Sequence, residues 1–340
     1  MSGLTVAIVG CGLIGDKRAA ALREDDRLVA CYDVDRLAGE RLGQKFGCRS
    51  CSTLTELLEL SCDVVVIATT HDRLAELAEL ALESGANVLV EKPAGVSSAE
   101  IKRLIERERA SEGMVKVGFN HRFHPGIARA TREVHSGAHG ELMHVRGRYG
   151  HGGRLGYDRE WRAEPARSGG GELVDQGMHL LDLTHRLAGA LPLHSALLRT
   201  HFWDTPVEDN AALILGERDS RSGPWAMLHV TWTEWKNLFS LEIYCRTAKI
   251  QVDGLVRSYG PQRLRIFRMG PELGPPELEE IEFPDKDHSW ELEWASFRQA
   301  IEAKDSSLVD GGLVDALYAW SQIEAAYASG PYSEMRRAFA

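Results

Sequence analysis

The chain has 340 residues, more than one hydrophobic core normally spans, so two domains are expected. Its 50 acidic against 40 basic residues give a net charge of -10, which excludes nucleic acid and anionic membrane as main partners. The sequence has no apolar run long enough for a membrane span and no basic stretch ahead of the first apolar segment, so neither a span nor a signal peptide is expected.

Up to about residue 120, short apolar segments alternate with helical patterns. Residues 4–9 run into Gly10-Cys11-Gly12-Leu13-Ile14-Gly15 and then into a helix starting at Asp16. A strand, a glycine turn and a helix start in that order aim unpaired N–H groups and the positive end of the helix dipole at a pyrophosphate. Gly10 permits the turn, Gly12 lets phosphate approach the backbone, and Gly15 lets the helix pack on the strand. The second strand, 28–32, ends in Asp33, 18 residues beyond Gly15. At that spacing a carboxylate accepts hydrogen bonds from an adenosine ribose 2′-hydroxyl and repels a 2′-phosphate, which favours NAD over NADP. The alternative is a helix cap, because Asp33-Val34-Asp35-Arg36 also reads as a helix start.

Helical stretches at 36–46, 54–60, 71–84 and 99–112 separate further strands at 64–68, 87–90 and 115–119. Continuous β-branched strands between helices specify a doubly wound parallel sheet, a Rossmann domain over residues 1–122. Glu91-Lys92-Pro93 follows strand 87–90 at its C-terminal end, the edge where such sheets bind ligands, with Lys92 held extended by Pro93. Lys92 there either donates a hydrogen bond to a substrate oxygen beside a nicotinamide or is a solvated loop lysine.

Beyond a helix at 125–135 the texture changes to period-two alternation, at 141–149, 211–215, 226–232, 238–244 and 249–252. This predicts an α+β domain over residues 123–340 with a mostly antiparallel sheet, interrupted by a helix at 172–187 and ending in helices at about 289–327. Residues 270–276 read as a loop. On the 172–187 helix Asp175, His179 and Asp182 share one face. A carboxylate one turn from an imidazole orients it and raises its pKa, as a general base requires, although a merely polar helix face has the same spacing.

Four segments in this order, the glycine run at 10–15, Glu91-Lys92-Pro93, Gly118-Phe119-Asn120-His121-Arg122-Phe123 and the stretch from Gly170 to His179, resemble the glucose-fructose oxidoreductase and inositol dehydrogenase (Gfo/Idh/MocA) family over nearly the whole chain. The resemblance implies an N-terminal Rossmann domain, a C-terminal α+β domain with a large open sheet, and NAD(P)-dependent chemistry on a sugar or cyclitol hydroxyl. It implies Lys92, Asp175 and His179 as the catalytic trio, with His179 or Lys92 as proton acceptor, and leaves Asp182 without a role. Leu13, Ile14, Arg36, Thr69, His71, Glu91 and Lys92 would join Gly10, Gly12, Gly15 and Asp33 at the cofactor, and Asn120 and Arg122 would meet substrate. It also implies a homo-oligomer, dimer or tetramer, paired through the exposed face of the sheet, with Trp232 and Trp235 either interface anchors or core.

Residues 146–167 depart from the acidic whole, with six arginines against Asp158, Glu160 and Glu164. Arg154, Trp161 and Arg162 in this loop either contact substrate, holding a phosphate or nucleotide diphosphate, or belong to a salt-bridged surface. The six cysteines read as reduced thiols of a cytoplasmic protein. Cys48-Arg49-Ser50-Cys51 has no second pair to complete a zinc site, and no metal is expected.

The expected activity is NAD-dependent hydride transfer between nicotinamide and a ring hydroxyl of a sugar, sugar derivative or cyclitol. Two other readings fit the resemblance: an enzyme that keeps NAD bound and cleaves glycosides through transient oxidation, and a non-catalytic cofactor or sugar sensor. The intact Lys92, Asp175 and His179 argue against the sensor.

Overall fold

The computed structural model describes residues 3–272, 274–284 and 286–332; the end of the domain predicted over 123–340, from residue 333, and residue 273 of the predicted loop lie outside the described residues. The chain divides into two compact units, one formed up to Asn120 together with Trp290–Leu317, the other by His121–Ser289 together with the chain from Tyr318.

In the first unit, strands β1 (Thr5–Val9), β2 (Arg27–Tyr32), β3 (Arg49–Ser50), β4 (Val64–Ile67), β5 (Asn87–Val90) and β6 (Val115–Val117) alternate with helices α1 (Leu13–Ala20), α2 (Arg36–Phe46), α3 (Leu54–Leu58), α4 (His71–Glu83) and α5 (Ser98–Arg109). All strand pairs are parallel, in the order β3-β2-β1-β4-β5-β6, the doubly wound sheet the sequence predicts. The order reverses between β1 and β4, the switch point at which ligands bind in such sheets. Apolar side chains fill both faces, with Val6, Ile8, Val64, Val66 and Leu89 buried on one and Ala7, Val65, Ile67, Val88 and Val90 on the other.

The second unit opens with α6 (Pro125–His135) and β7 (Leu142–Gly150), continues through α7 (Pro165–Ser168), a π turn (Leu173–Gly177) and α8 (Met178–Ala188), and then forms β8 (Leu193–Arg199), β9 (Asn210–Leu215), β10 (Trp225–Thr231), β11 (Leu238–Cys245), β12 (Ala248–Asp253), β13 (Arg263–Arg268) and β14 (Glu277–Glu282). The sheet runs β14-β13-β12-β11-β7-β10-β9-β8, antiparallel except for the parallel pair β7 and β10. Helix α8 packs close because β7 has Gly147 beneath it, where an added Cβ would meet Leu228 at 3.0 Å and Leu180 at 3.2 Å. The sequence reading misses β8, β13 and β14; the outer faces of the last two pair ionically, Arg263 with Glu282 at 2.7 Å and Arg265 with Glu280 at 3.3 Å. Trp232 lies just past β10 and is core, packed with Tyr157, Val207 and Trp203, whereas Trp235 is 68% exposed in the following loop, so neither is on a strand.

Two helices close the described chain, α9 (Ser289–Ala303) and α10 (Leu313–Ala328). The sequence assigns them to the second domain, but residues 290–317 cluster with the first unit. The reason is the apolar stripe Trp294, Phe297 and Ala300, which joins Val6, Ile8 and Leu89 in one core. The Trp294 indole donates to Asp26 at 2.7 Å, and Arg298 pairs with Asp26 at 2.7 Å. Among the described residues no helix is long and apolar enough to cross a membrane.

Beneath the end of β5 lies a buried network of charges. Arg18 of α1 contacts Glu91 at 2.5 Å and Glu293 of α9 at 2.5 Å, and Lys116 of β6 reaches Glu293 at 3.0 Å. Gly118 leaves room for it, since a Cβ there would lie 2.7 Å from Arg18 Nη2 and 2.9 Å from Glu91 Oε2. Removing one member of a buried network strands the opposite charge. Glu293→Ala is expected to lower unfolding free energy by about 3–5 kcal/mol in urea titration; a loss below about 1 kcal/mol would show that the network contributes little.

Candidate active site

The glycine turn is built for close approach. Gly10 has φ +95°, and a Cβ there would meet the Ala68 carbonyl oxygen at 2.4 Å; at Gly15 it would meet the Gly10 oxygen at 2.0 Å. At Gly12 nothing lies within 4 Å of the same point, and no side chain caps the start of α1. That open space beside a helix N-terminus fits the pyrophosphate of a dinucleotide. Leu13 is exposed and Ile14 half-buried at the same helix start.

Asp33 ends up beside this turn. Its Oδ2 accepts the Cys11 N–H at 2.6 Å and its Oδ1 accepts the Asp35 N–H at 2.8 Å. The cap of α2 is Asp35, which accepts from Leu37 at 3.0 Å. Asp33 is therefore tied to the glycine loop, and a carboxylate with two such bonds retains lone pairs for a hydroxyl. Arg36 points into solvent and pairs with Glu40 of its own helix at 2.9 Å. Thr69 follows β4, with its hydroxyl on the Thr70 carbonyl at 3.3 Å, and His71 is buried as the first residue of α4. Glu91 is taken up by the Arg18 network, where burial pushes its carboxyl above the ordinary range. Lys92, half-buried, begins the turn after β5, and its peptide bond to Pro93 is cis.

In the second unit His179 stacks on His121 with ring centroids 3.7 Å apart, and His121 Nε2 lies 3.1 Å from the Tyr149 hydroxyl. Asp175 sits in the π turn, not in a regular helix, and pairs with Arg162 at 3.4 Å. Glu172, the residue before that turn, is fully buried. Burial first pushes the phenols of Tyr149 and Tyr157 upward, followed at Tyr149 by Tyr259 and then, as at Tyr157, by the charges of Asp175 and Glu172, so both remain protonated. The result is a wall of imidazoles, phenols and carboxylates suited to ligands rich in hydroxyl groups.

The remaining expected substrate residues divide. Asn120 is buried in the turn that ends the first unit. Arg122, 5% exposed, makes a forked pair with Asp182, its Nε 2.9 Å from Oδ2; this gives Asp182 a structural role and commits Arg122 to it. The basic loop is salt-bridged: Arg154 to Glu160 at 2.6 Å, Arg167 to Glu164 at 3.5 Å, and Arg146 to Glu242 at 2.9 Å. Arg162, stacked on Trp161 at 4.6 Å, is the member of the loop that joins the Asp175 cluster.

Sequence reasoning overlooks Glu208, fully buried just before β9. Its carboxylate accepts the Leu173 N–H at 2.9 Å, the Gly171 N–H at 3.3 Å and the Tyr327 hydroxyl at 3.0 Å, and a Cβ on Gly171 would lie 2.0 Å from its carbonyl oxygen. The signal available was an acidic pair, Glu208-Asp209, ahead of an apolar strand.

A parallel sheet of this strand order, with a turn open at Gly12 and an acid at the end of its second strand, is the architecture of dinucleotide-dependent oxidoreductases. Residues 4–119 match the oxidoreductase family with an NAD-binding Rossmann fold and residues 127–251 match the GFO/IDH/MocA C-terminal domain. The chain belongs to the GFO/IDH/MocA family. Levoglucosan dehydrogenase of Pseudarthrobacter phenanthrenivorans is 29% identical over 163 residues, covering 47% of this chain and 42% of that protein. Inositol 2-dehydrogenase 4 of Saccharopolyspora erythraea is 32% identical over 196 residues, covering 55% and 54%. The chain thus spans about half the length of the curated relatives it matches. A solved levoglucosan dehydrogenase in complex with NADH has a TM-score of 0.86 at 19% identity over 98% of both chains, which shows the shared fold.

Glu208 links the glycine segment to pH. Burial raises its carboxyl from 4.5 to about 7. The native state holds that proton where the unfolded chain has lost it, so stability is full below about pH 4.5 and falls as pH rises toward 7, by roughly 3 kcal/mol in total. Glu208→Gln should flatten this part of the curve of unfolding free energy against pH; equal slopes in the two proteins would refute the assignment.

Proposed function

We propose that this protein is an NAD-dependent dehydrogenase acting on a ring hydroxyl of a sugar, sugar derivative or cyclitol. The observation that carries the reading is His179, a buried imidazole stacked on His121 within a wall of phenols and carboxylates, in a chain whose other unit carries the open turn at Gly12. Bound NAD would supply the hydride acceptor. His179 takes the proton of the substrate hydroxyl, Lys92 donates a hydrogen bond to the same oxygen, and Asp175 holds the imidazole or a neighbouring hydroxyl. Gly10, Gly12, Gly15, Leu13 and Ile14 hold the dinucleotide, with Asp33 on its ribose and Thr69 and His71 nearby. Trp161 and Arg162 contact substrate. The reading includes a homo-oligomer paired through the outer sheet face, where Leu197, Trp225 and Met227 are exposed, and a cytoplasmic location, in line with the free thiols.

Replacing His179 or Lys92 by Ala should lower turnover by about 10²- to 10⁴-fold with NAD affinity nearly unchanged. NADH formation from a panel of polyols, sugars and nucleotide sugars measures this, and full activity in both variants would remove the two roles. Asp33→Ala should narrow the preference for NAD over NADP, read as the ratio of the two dissociation constants; equal affinity for both in the unaltered protein would remove the role of Asp33.

A further inference from the structure

Beside the proposed catalytic residues the second unit brings together His151, Glu172 and Asp175, each offering one ligand atom, all within 4.8 Å of one another. They come from three places in the chain: the residue after β7, the residue before the π turn, and the π turn itself. Neither the glycine turn nor the general-base role of His179 accounts for the meeting of an imidazole and two carboxylates, one of them fully buried.

Each donor is positioned by its backbone. His151 donates its N–H to the Thr231 carbonyl at 3.0 Å, and its own carbonyl accepts from Glu234 at 3.3 Å. Glu172 donates its N–H to the Glu208 carbonyl at 3.1 Å, and Asp175 donates to the Gly171 carbonyl at 3.1 Å. The ring nitrogen Nδ1 of His151 accepts the Gly153 N–H at 3.0 Å, a hydrogen bond that a metal ion on the ring replaces. Asp175 pairs with Arg162 at 3.4 Å, a guanidinium shared with Glu160 at 3.8 Å.

We propose that His151, Glu172 and Asp175 form a binding site for a divalent first-row metal ion of the Mn²⁺ or Zn²⁺ type. Ligand bonds of about 2.0–2.2 Å in tetrahedral geometry place donor atoms roughly 3.5 Å apart, so the three side chains draw together by about 1 Å to complete the site. One imidazole with two carboxylates and no thiolate selects against Cu(I), and the nitrogen selects against Ca²⁺ and Mg²⁺. Three protein ligands leave coordination positions for water or for hydroxyl oxygens of a ligand, the pattern of working metal sites and not of closed structural ones. Binding also draws Asp175 away from Arg162. The site does not depend on the dehydrogenase reading.

The test is titration of chelator-treated full-length protein with MnCl₂, following the electron paramagnetic resonance signal of free Mn²⁺, with ZnCl₂ as competitor and neither NAD nor sugar present. The expected result is about one Mn²⁺ per chain, displaced by Zn²⁺, with affinity lowered at least about tenfold in His151→Ala and in Glu172→Gln. Circular dichroism and thermal unfolding identify variants that retain the fold; because His151 lies in a half-exposed loop, its variant serves if the buried Glu172 change disturbs folding. Binding well below one equivalent, or unchanged affinity in a folded His151→Ala variant, overturns the proposal. Since binding is read without turnover, its failure and the failure of the dehydrogenase assay are separate results.

Discussion

Four buried charges hold the first unit in working order. Arg18, Glu91, Glu293 and Lys116 come from α1, the end of β5, α9 and β6, so one network joins the helix after the glycine turn, the strand end that carries Lys92, and a helix almost two hundred residues further along the chain. Charges of this kind tolerate burial only when every member is paired, and the register of the four elements is accordingly tied together. The turn at Gly10 to Gly15 and Lys92, the two parts of this unit proposed to face the cofactor and the substrate, share the network as their common base. The apolar stripe of α9 adds cohesion, and the ion pairs add direction.

Much of this was legible in the sequence for a physical reason. Parallel strands buried on both faces are continuous apolar runs, and glycines forced by close backbone approach appear as glycines whatever surrounds them, as the 2.4 Å and 2.0 Å clearances at Gly10 and Gly15 show. Charged strands are harder to read. β14 is Glu277 to Glu282, held by arginines on β13 and not by alternating apolar side chains. The domain assignment of the last helices was illegible for another reason, because the partners of Trp294, Phe297 and Ala300 are Val6, Ile8 and Leu89, and nothing local in the sequence states that pairing.

The site shows the same division. Asp33 reads correctly as the acid at the end of the second strand, yet its bond to the Cys11 N–H, which ties it to the loop it is proposed to serve, is visible only in three dimensions. Arg122 and Asp182 each look like a site residue by motif or by face, and their forked pair shows them meeting each other. Helical periodicity places Asp175 and His179 on one regular face; the chain makes a π turn over Leu173–Gly177 before α8 begins, and such turns concentrate at functional positions because they displace side chains from the regular helical stagger.

That π turn explains why two carboxylates are kept near one another at this point. Its start is fixed by Glu208, whose carboxylate accepts the N–H groups of Gly171 and Leu173 and whose main-chain oxygen accepts that of Glu172. Gly171 is required because the Glu208 carbonyl occupies the space of its Cβ. With the start fixed, Glu172 and Asp175 are held on consecutive turns, and Arg162 lies against Asp175. An arrangement that must be stabilised by so many donors would be costly as mere packing, since apolar residues fill buried space at lower cost. The sugar hydroxyls or the metal ion proposed for this place would each make use of such acceptors.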